Sequence, residues 1–215
     1  MNNQPARVLP DQRALFGIPE DVAYLNCAYM SPLMGPVVEA GENAVRLKRK
    51  PWEISAPYFF DLPDRGRELF AQIVGAQGDE IAIVPSVSYG IAVAAANINV
   101  APGQEILLLQ DQFPSNVYPW REKARETGGA IVTVPQPPPG ESWGPAIIDA
   151  IGPQTAVVAL PHCHWTDGSL VDLVAVGEAA RAAGAALVID ATQSVGALPL
   201  DLSLIHISEP TRPTT

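Results

Sequence analysis

Short apolar runs alternate with longer amphipathic stretches from about residue 80 onward. The runs 80–84, 105–109, 130–134, 155–160 and 186–190 are mostly Val, Ile, Leu and Ala. Apolar runs of this length, without a polar face, predict strands buried on both sides. Between them, 88–98, 117–127, 144–151 and 170–183 repeat apolar residues at helical spacing. Strands alternating with helices predict an α/β fold, a mostly parallel sheet with crossover helices. Upstream, 36–49 and 64–74 read as amphipathic helices.

Turn chemistry supports these boundaries. Gly103, Gly128-Gly129 and Gly184 mark expected helix ends, where a positive φ is needed. The run 135–140, Pro-Gln-Pro-Pro-Pro-Gly, reads as a solvated loop. The basic run 46–50 reads as the solvated C-terminal end of its helix, complementing the helix dipole. No internal repeat is visible, and no linker divides two complete domains.

Composition narrows the class of function. Of 215 residues, 47% are hydrophobic, enough for a sizeable core. A net charge of −10 argues against nucleic acid and anionic membranes as partners. The two cysteines, Cys27 and Cys163, form no CxxC or zinc pattern, so a reduced, cytoplasmic protein is expected. The N-terminus has no apolar signal core, and no apolar run reaches the ~18–20 residues of a membrane span.

Candidate chemistry gathers at strand ends. The run 186–190 delivers Asp190 to the end of a strand, and Gln193 follows. In open α/β sheets ligands sit at the carboxyl ends of strands. An aspartate there can hold a protonated ring nitrogen and make a cofactor an electron sink; an ordinary Rossmann-like strand end suits the same residues. In 85–90, Ser86 or Ser88 can cap the next helix, whose free amides offer an anion site. After the 105–109 strand, Phe113 offers a flat apolar face without a proton to give, or else a core residue. In 160–168, His162 and His164 alternate with Cys163, so the imidazoles face one way. No second ligand cluster supports a metal there, and Cys163 reads as a small buried residue rather than a nucleophile. Near the start, Tyr24, Asn26, Ala28 and Tyr29 lie in a short strand before a turn at Pro32. No G-x-G-x-x-G follows any expected strand, which disfavours a dinucleotide-binding domain.

In this order the segments resemble the class V aminotransferase and cysteine desulfurase group of fold-type-I pyridoxal phosphate (PLP) enzymes. The resemblance implies that Val87, Ser88 and Tyr89 hold the cofactor phosphate and that Phe113 stacks on its ring. It implies that Asp190 pairs with the pyridinium nitrogen and that Gln193 bonds the ring oxygen. His164 and Trp165 fall in the segment beneath the ring, where many relatives carry Asn. Asn26, Ala28 and Tyr29 would line the site for an amino-acid substrate's carboxylate. Relatives commonly carry His where this chain has Phe113, which weakens a desulfurase assignment. A homodimer, with the site at its interface, is implied by resemblance alone.

The family's Schiff-base lysine lies one strand beyond this aspartate, whereas Lys48, Lys50 and Lys123 are all upstream of it. The tail 202–212 reads LSLIHISEPTR, which resembles a translated sequencing adapter. The expected organisation is therefore an extension over 1–20, an incomplete PLP-binding large domain over 21–201 and a non-native tail over 202–215. On that reading the parent is a PLP-dependent transaminase, lyase, desulfurase or epimerase, and the chain as given is inactive. The alternative is a non-catalytic fragment with no function of its own.

Overall fold

A computed structural model describes residues 10–205, which fall into two units, Met1–Leu62 and Pro63–Thr215. In the first unit an isolated bridge joins Phe16 to Met34, just ahead of helix α1 (Gly35–Leu47). The basic run lies at the C-terminal end of α1, where Arg46 pairs with Glu42 at 2.9 Å and Lys50 with Glu53 at 3.2 Å. These pairs are solvent-exposed, as expected of a solvated helix end. Helix α2 (Tyr58–Val74) crosses the unit boundary and contains Pro63. It starts earlier than expected, because Pro63-Asp64 has the chemistry of a helix start and masks the turn before it.

The second unit is a four-stranded, all-parallel sheet made of β1 (Glu105–Leu109), β2 (Ala130–Val134), β3 (Thr155–Pro161) and β4 (Ala186–Asp190), in the order β2-β1-β3-β4. Helix α3 (Val87–Asn97) precedes it, and α4 (Tyr118–Thr127), α5 (Trp143–Ala150) and α6 (Leu173–Ala182) connect its strands. Alternation along the strands divides the interior into two cores. Ile106, Leu108, Val157 and Ala159 meet α3 and α4 on one face. Leu107, Leu109, Val158 and Leu160 meet α5 and α6 on the other. Trp120 of α4 and Trp143 of α5 are fully buried, one in each core. The two faces explain why the central strands lack a polar side in the sequence.

Ser86 caps α3, its Oγ accepting from Tyr89 N at 3.2 Å. Gly128 ends α4 at φ +74° and Gly184 follows α6 at φ +72°, both left-handed as required. Gly103, expected at a helix end, instead turns the chain into β1. The expected strand 80–84 is not one: Glu80 ends a 3-10 turn, Ile81 N bonds back to the Gly78 carbonyl, and the run joins no strand ladder among the described residues, with Ile83 66% exposed. An apolar run becomes a strand only when another strand shares its backbone bonds. Residues 1–9 and 206–215, which hold parts of the expected extension and tail, lie outside the described residues. Leu202 and Ile205 do fall within them, in a short helix, α7 (Leu202–Ile205), against the α6 side of the core. No described helix is long and apolar enough to cross a membrane.

Candidate functional site

The strand order changes direction between β1 and β3: from β1 the chain goes to β2 on one side, then returns past β1 to β3 on the other. Loops leaving adjacent strands in opposite directions open a crevice at their carboxyl ends. A cavity of about 160 Å³ lies there. Gln112, Phe113 and Ser115 line it from the loop after β1, Pro161, Cys163 and Trp165 from the end of β3 and the loop after it, and Asp190, Thr192 and Gln193 from the end of β4 and the turn after it. Val87, the first residue of α3, completes the lining. A second cavity, of about 170 Å³, lies at the ends of β1 and β2 and holds none of the sequence-predicted residues.

Local bonding explains how each group is held. Register pairs Pro161 with Asp190, and His162 N donates to the Asp190 carbonyl at 3.1 Å, so the aspartate is fixed at the β3–β4 edge. Its Oδ1 accepts from Thr192 N at 3.1 Å and from Thr192 Oγ1 at 2.5 Å, a turn that orients the carboxylate. In the β1 loop, Gln112 Oε1 accepts from Leu109 N at 3.0 Å and its Nε2 donates to the Asn116 carbonyl at 2.9 Å. Trp120 Nε1 donates to Asn116 Oδ1 at 3.0 Å, tying that loop to the α4 core. The rings of Phe113 and Trp165 meet edge to face, with centroids 5.5 Å apart and planes at 89°. Both stay about half exposed, presenting aromatic surface beside a nearly buried carboxylate.

The structure thus brings Val87, Phe113, Trp165, Asp190 and Gln193 around one cavity. Ser88 and Tyr89 follow Val87 in the first turn of α3 but do not line the cavity. His164 lies outside it, buried and stacked on Trp143 at 5.2 Å, with Nε2 against the Gln110 carbonyl and Nδ1 against Thr166 Oγ1. Asn26, Ala28 and Tyr29 belong to the first unit, where the Asn26 carbonyl accepts from Tyr29 N and Met30 N in a tight turn. Lys123 is on α4 and does not line the cavity. Sequence reasoning missed Thr192 and the place of the half-buried Cys163 in the cavity wall. The first was legible in the pattern Asp-x-Thr, the second in the alternation that sends His164 to the α5 side and Cys163 to the other.

The electrostatics favour neutral groups beside Asp190. Burial, and then the Asp167 carboxylate, push the Cys163 thiol up, so it stays protonated near neutral pH. Asp167 itself is held below the usual carboxylate range, first by the Ser169 hydroxyl and amide. Burial pushes His162 down from 6.5, and its Nδ1 is buried without a hydrogen-bond partner among the described residues. An unfolded chain then takes up a proton near pH 6.5 that the folded one resists. The contribution of His162 to stability is accordingly present above about pH 6.5 and is lost as pH drops from there toward the lowered folded value. Urea unfolding at about pH 7.5 and about pH 5.5 should show this loss, and His162→Gln should remove most of it. An equal loss in His162→Gln would show that another group carries it.

A model of the family Aminotransferase class-V matches residues 58–207. An uncharacterised aminotransferase of Bacillus subtilis is 28% identical over 90% of this chain and 51% of its own length. Isopenicillin N epimerase of Streptomyces clavuligerus is 30% identical over 66% of this chain and 36% of its own. Among solved structures, the cystine C–S lyase C-DES, with glycine covalently linked to its PLP cofactor, superposes with a TM-score of 0.81 at 22% identity. That likeness covers 92% of this chain and 54% of the other. The chain spans about half the length of the Bacillus relative.

Proposed function

This chain belongs to the class V aminotransferase family, and on that premise we propose that it is the cofactor-binding part of a PLP-dependent enzyme acting on an amino acid. PLP is the cofactor of that family. One observation carries the reading: a nearly buried carboxylate, Asp190, and a half-exposed ring, Phe113, share a cavity at the point where strand order reverses. The residues present fit a flat, phosphorylated pyridine. Two aromatic rings offer apolar faces or edges, and the carboxylate suits a protonated ring nitrogen. In the first turn of α3 the Ser86 cap takes the Tyr89 amide, and the Val87 and Ser88 amides are ones that helix geometry leaves without intrahelical acceptors, suited to a phosphate.

In this reading Asp190 keeps the ring nitrogen protonated, Thr192 orients that carboxylate, Phe113 stacks, and Gln193 bonds the ring oxygen. Val87, Ser88 and Tyr89 hold the phosphate through the α3 terminus. Trp165 walls the cavity, and His164 acts from behind it by holding the β1 loop. Bound there, the cofactor supplies an electron sink for the bonds at an amino acid's α-carbon. Phe113 has no proton to give, so any acid–base step falls to another group. Asn26, Ala28 and Tyr29 serve the substrate carboxylate, and a homodimer completes the enzyme.

Pyridoxine 5′-phosphate tests the reading, since it has the ring and the phosphate but no aldehyde to react with lysines. Titration calorimetry should show saturable binding to the chain, and Phe113→Ala should weaken it by about tenfold, the scale of one aromatic contact. No saturable binding, or unchanged affinity in Phe113→Ala, would remove the assignment.

A further inference from the structure

Asp111 is the single non-glycine residue with a left-handed backbone among those described, at φ +53°. Aspartate tolerates that conformation better than most L residues, and its surroundings decide whether it is adopted. The β1 loop is tied at its base by Gln110 N to the Val134 carbonyl at 2.8 Å and within itself by Gln112, and two side chains from the loop after β3 act on the turn itself. His164 Nε2 donates to the Gln110 carbonyl at 3.1 Å, and Trp165 Nε1 donates to the Asp111 carbonyl at 2.7 Å. Consecutive residues of one loop thus grip consecutive carbonyls of another, 54 positions away in each case. A carbonyl oxygen only accepts, so Nε2 of His164 carries a proton. The grip has a fixed base, because His164 is buried and stacked on the fully buried Trp143.

Two residues beyond Asp111 is Phe113, and the Trp165 indole meets it edge to face. One side chain therefore both fixes the backbone turn before Phe113 and limits where its ring can lie. The indole is about half exposed, so its fixed position owes much to this hydrogen bond.

We propose that Trp165 is a positioning residue whose indole N–H holds Asp111 in its left-handed turn and so presents the Phe113 ring to the cavity. The use of that ring for stacking rests on the cofactor reading above, whereas the hold on Asp111 stands apart from it. Trp165→Phe is the informative variant: it keeps an aromatic ring and removes the N–H.

Hydrogen exchange on the full chain, followed by mass spectrometry, reads the hold directly. In Trp165→Phe, amides of 110–116 should exchange about tenfold faster, the factor expected for one lost hydrogen bond. Helix α5 serves as the control and should exchange as in the parent. Unchanged protection of 110–116, or an equal rise in α5, would overturn the proposal, the second outcome showing only general loosening. Titration with pyridoxine 5′-phosphate adds the second arm, and affinity should fall by a similar factor. Parent-like affinity with an opened loop would overturn the link from Trp165 to Phe113. If the parent fails to bind the compound, the cofactor reading fails, and exchange still decides whether Trp165 holds Asp111.

Discussion

Asp190→Asn is expected to weaken pyridoxine 5′-phosphate binding by about 10- to 100-fold, the range for removing the charge from a charge-assisted hydrogen bond. The fold should survive. In the parent, Thr192 N and Oγ1 both donate to Asp190 Oδ1, and an asparagine carbonyl can accept the same two bonds. The strand end is also tied through the backbone, by His162 N to the Asp190 carbonyl, which the substitution leaves intact. What changes is the partner offered to a ring nitrogen. A carboxylate prefers a protonated pyridine, whereas the asparagine amide, as a donor, prefers a neutral one. Binding to the parent should therefore weaken as pH rises through the titration of the ring nitrogen. Binding to Asp190→Asn should lose that dependence or reverse it. Asp190→Ala should lose affinity at least as far and also loosen the turn at Thr192. Parent-like affinity and pH dependence in Asp190→Asn, measured by calorimetry across pH, would remove Asp190 from the ring nitrogen.

The sheet was readable because its central strands, β1 and β3, are buried on both faces. Runs such as 155–160 have no polar alternation, and two packed helical layers are the physical cause. The run 80–84 has the same composition and is no strand, since pattern reports apolar demand and not the presence of a neighbour to pair with. Strand order was not readable either. Nothing local says that β3 lies beside β1 rather than β2, yet that choice opens the crevice. Asp190 and Gln193 were found because a polar residue ending an apolar strand must go to its carboxyl end. His164 illustrates the opposite case. Its spacing from His162 predicted a shared face, but whether that face meets the cavity or the α5 core depends on Trp143, 21 positions upstream. The role of Trp165 as a backbone donor depends likewise on the left-handed turn at Asp111, which its residue type permits but does not announce.

Trp143→Ala should cost about 3–5 kcal/mol of unfolding free energy, at the upper end for a single substitution. The indole is fully buried at the first position of α5 and packs in the core formed with α6, β1 and β3. Truncation removes its transfer energy and leaves a cavity that surrounding helices and strands fill only in part. It also deletes the Nε1 bond to Ser169 Oγ at 2.8 Å and the stacking surface beneath His164. Ser169 in turn bonds Asp167, and His164 bonds the Gln110 carbonyl, so the loss spreads into the loops that shape the cavity. Trp143→Phe separates the two parts, since it keeps most of the stacked surface and removes the donor together with a smaller part of the ring. Its cost should be near the ~1–2 kcal/mol of one lost hydrogen bond and some volume. The two variants should also differ in binding, with Trp143→Phe close to the parent and Trp143→Ala weaker through a displaced His164. Urea unfolding followed by near-ultraviolet circular dichroism measures the first effect, and pyridoxine 5′-phosphate titration the second. A Trp143→Ala protein within about 1 kcal/mol of the parent would mean that this tryptophan neither anchors the α5 core nor supports the loop grip built on it.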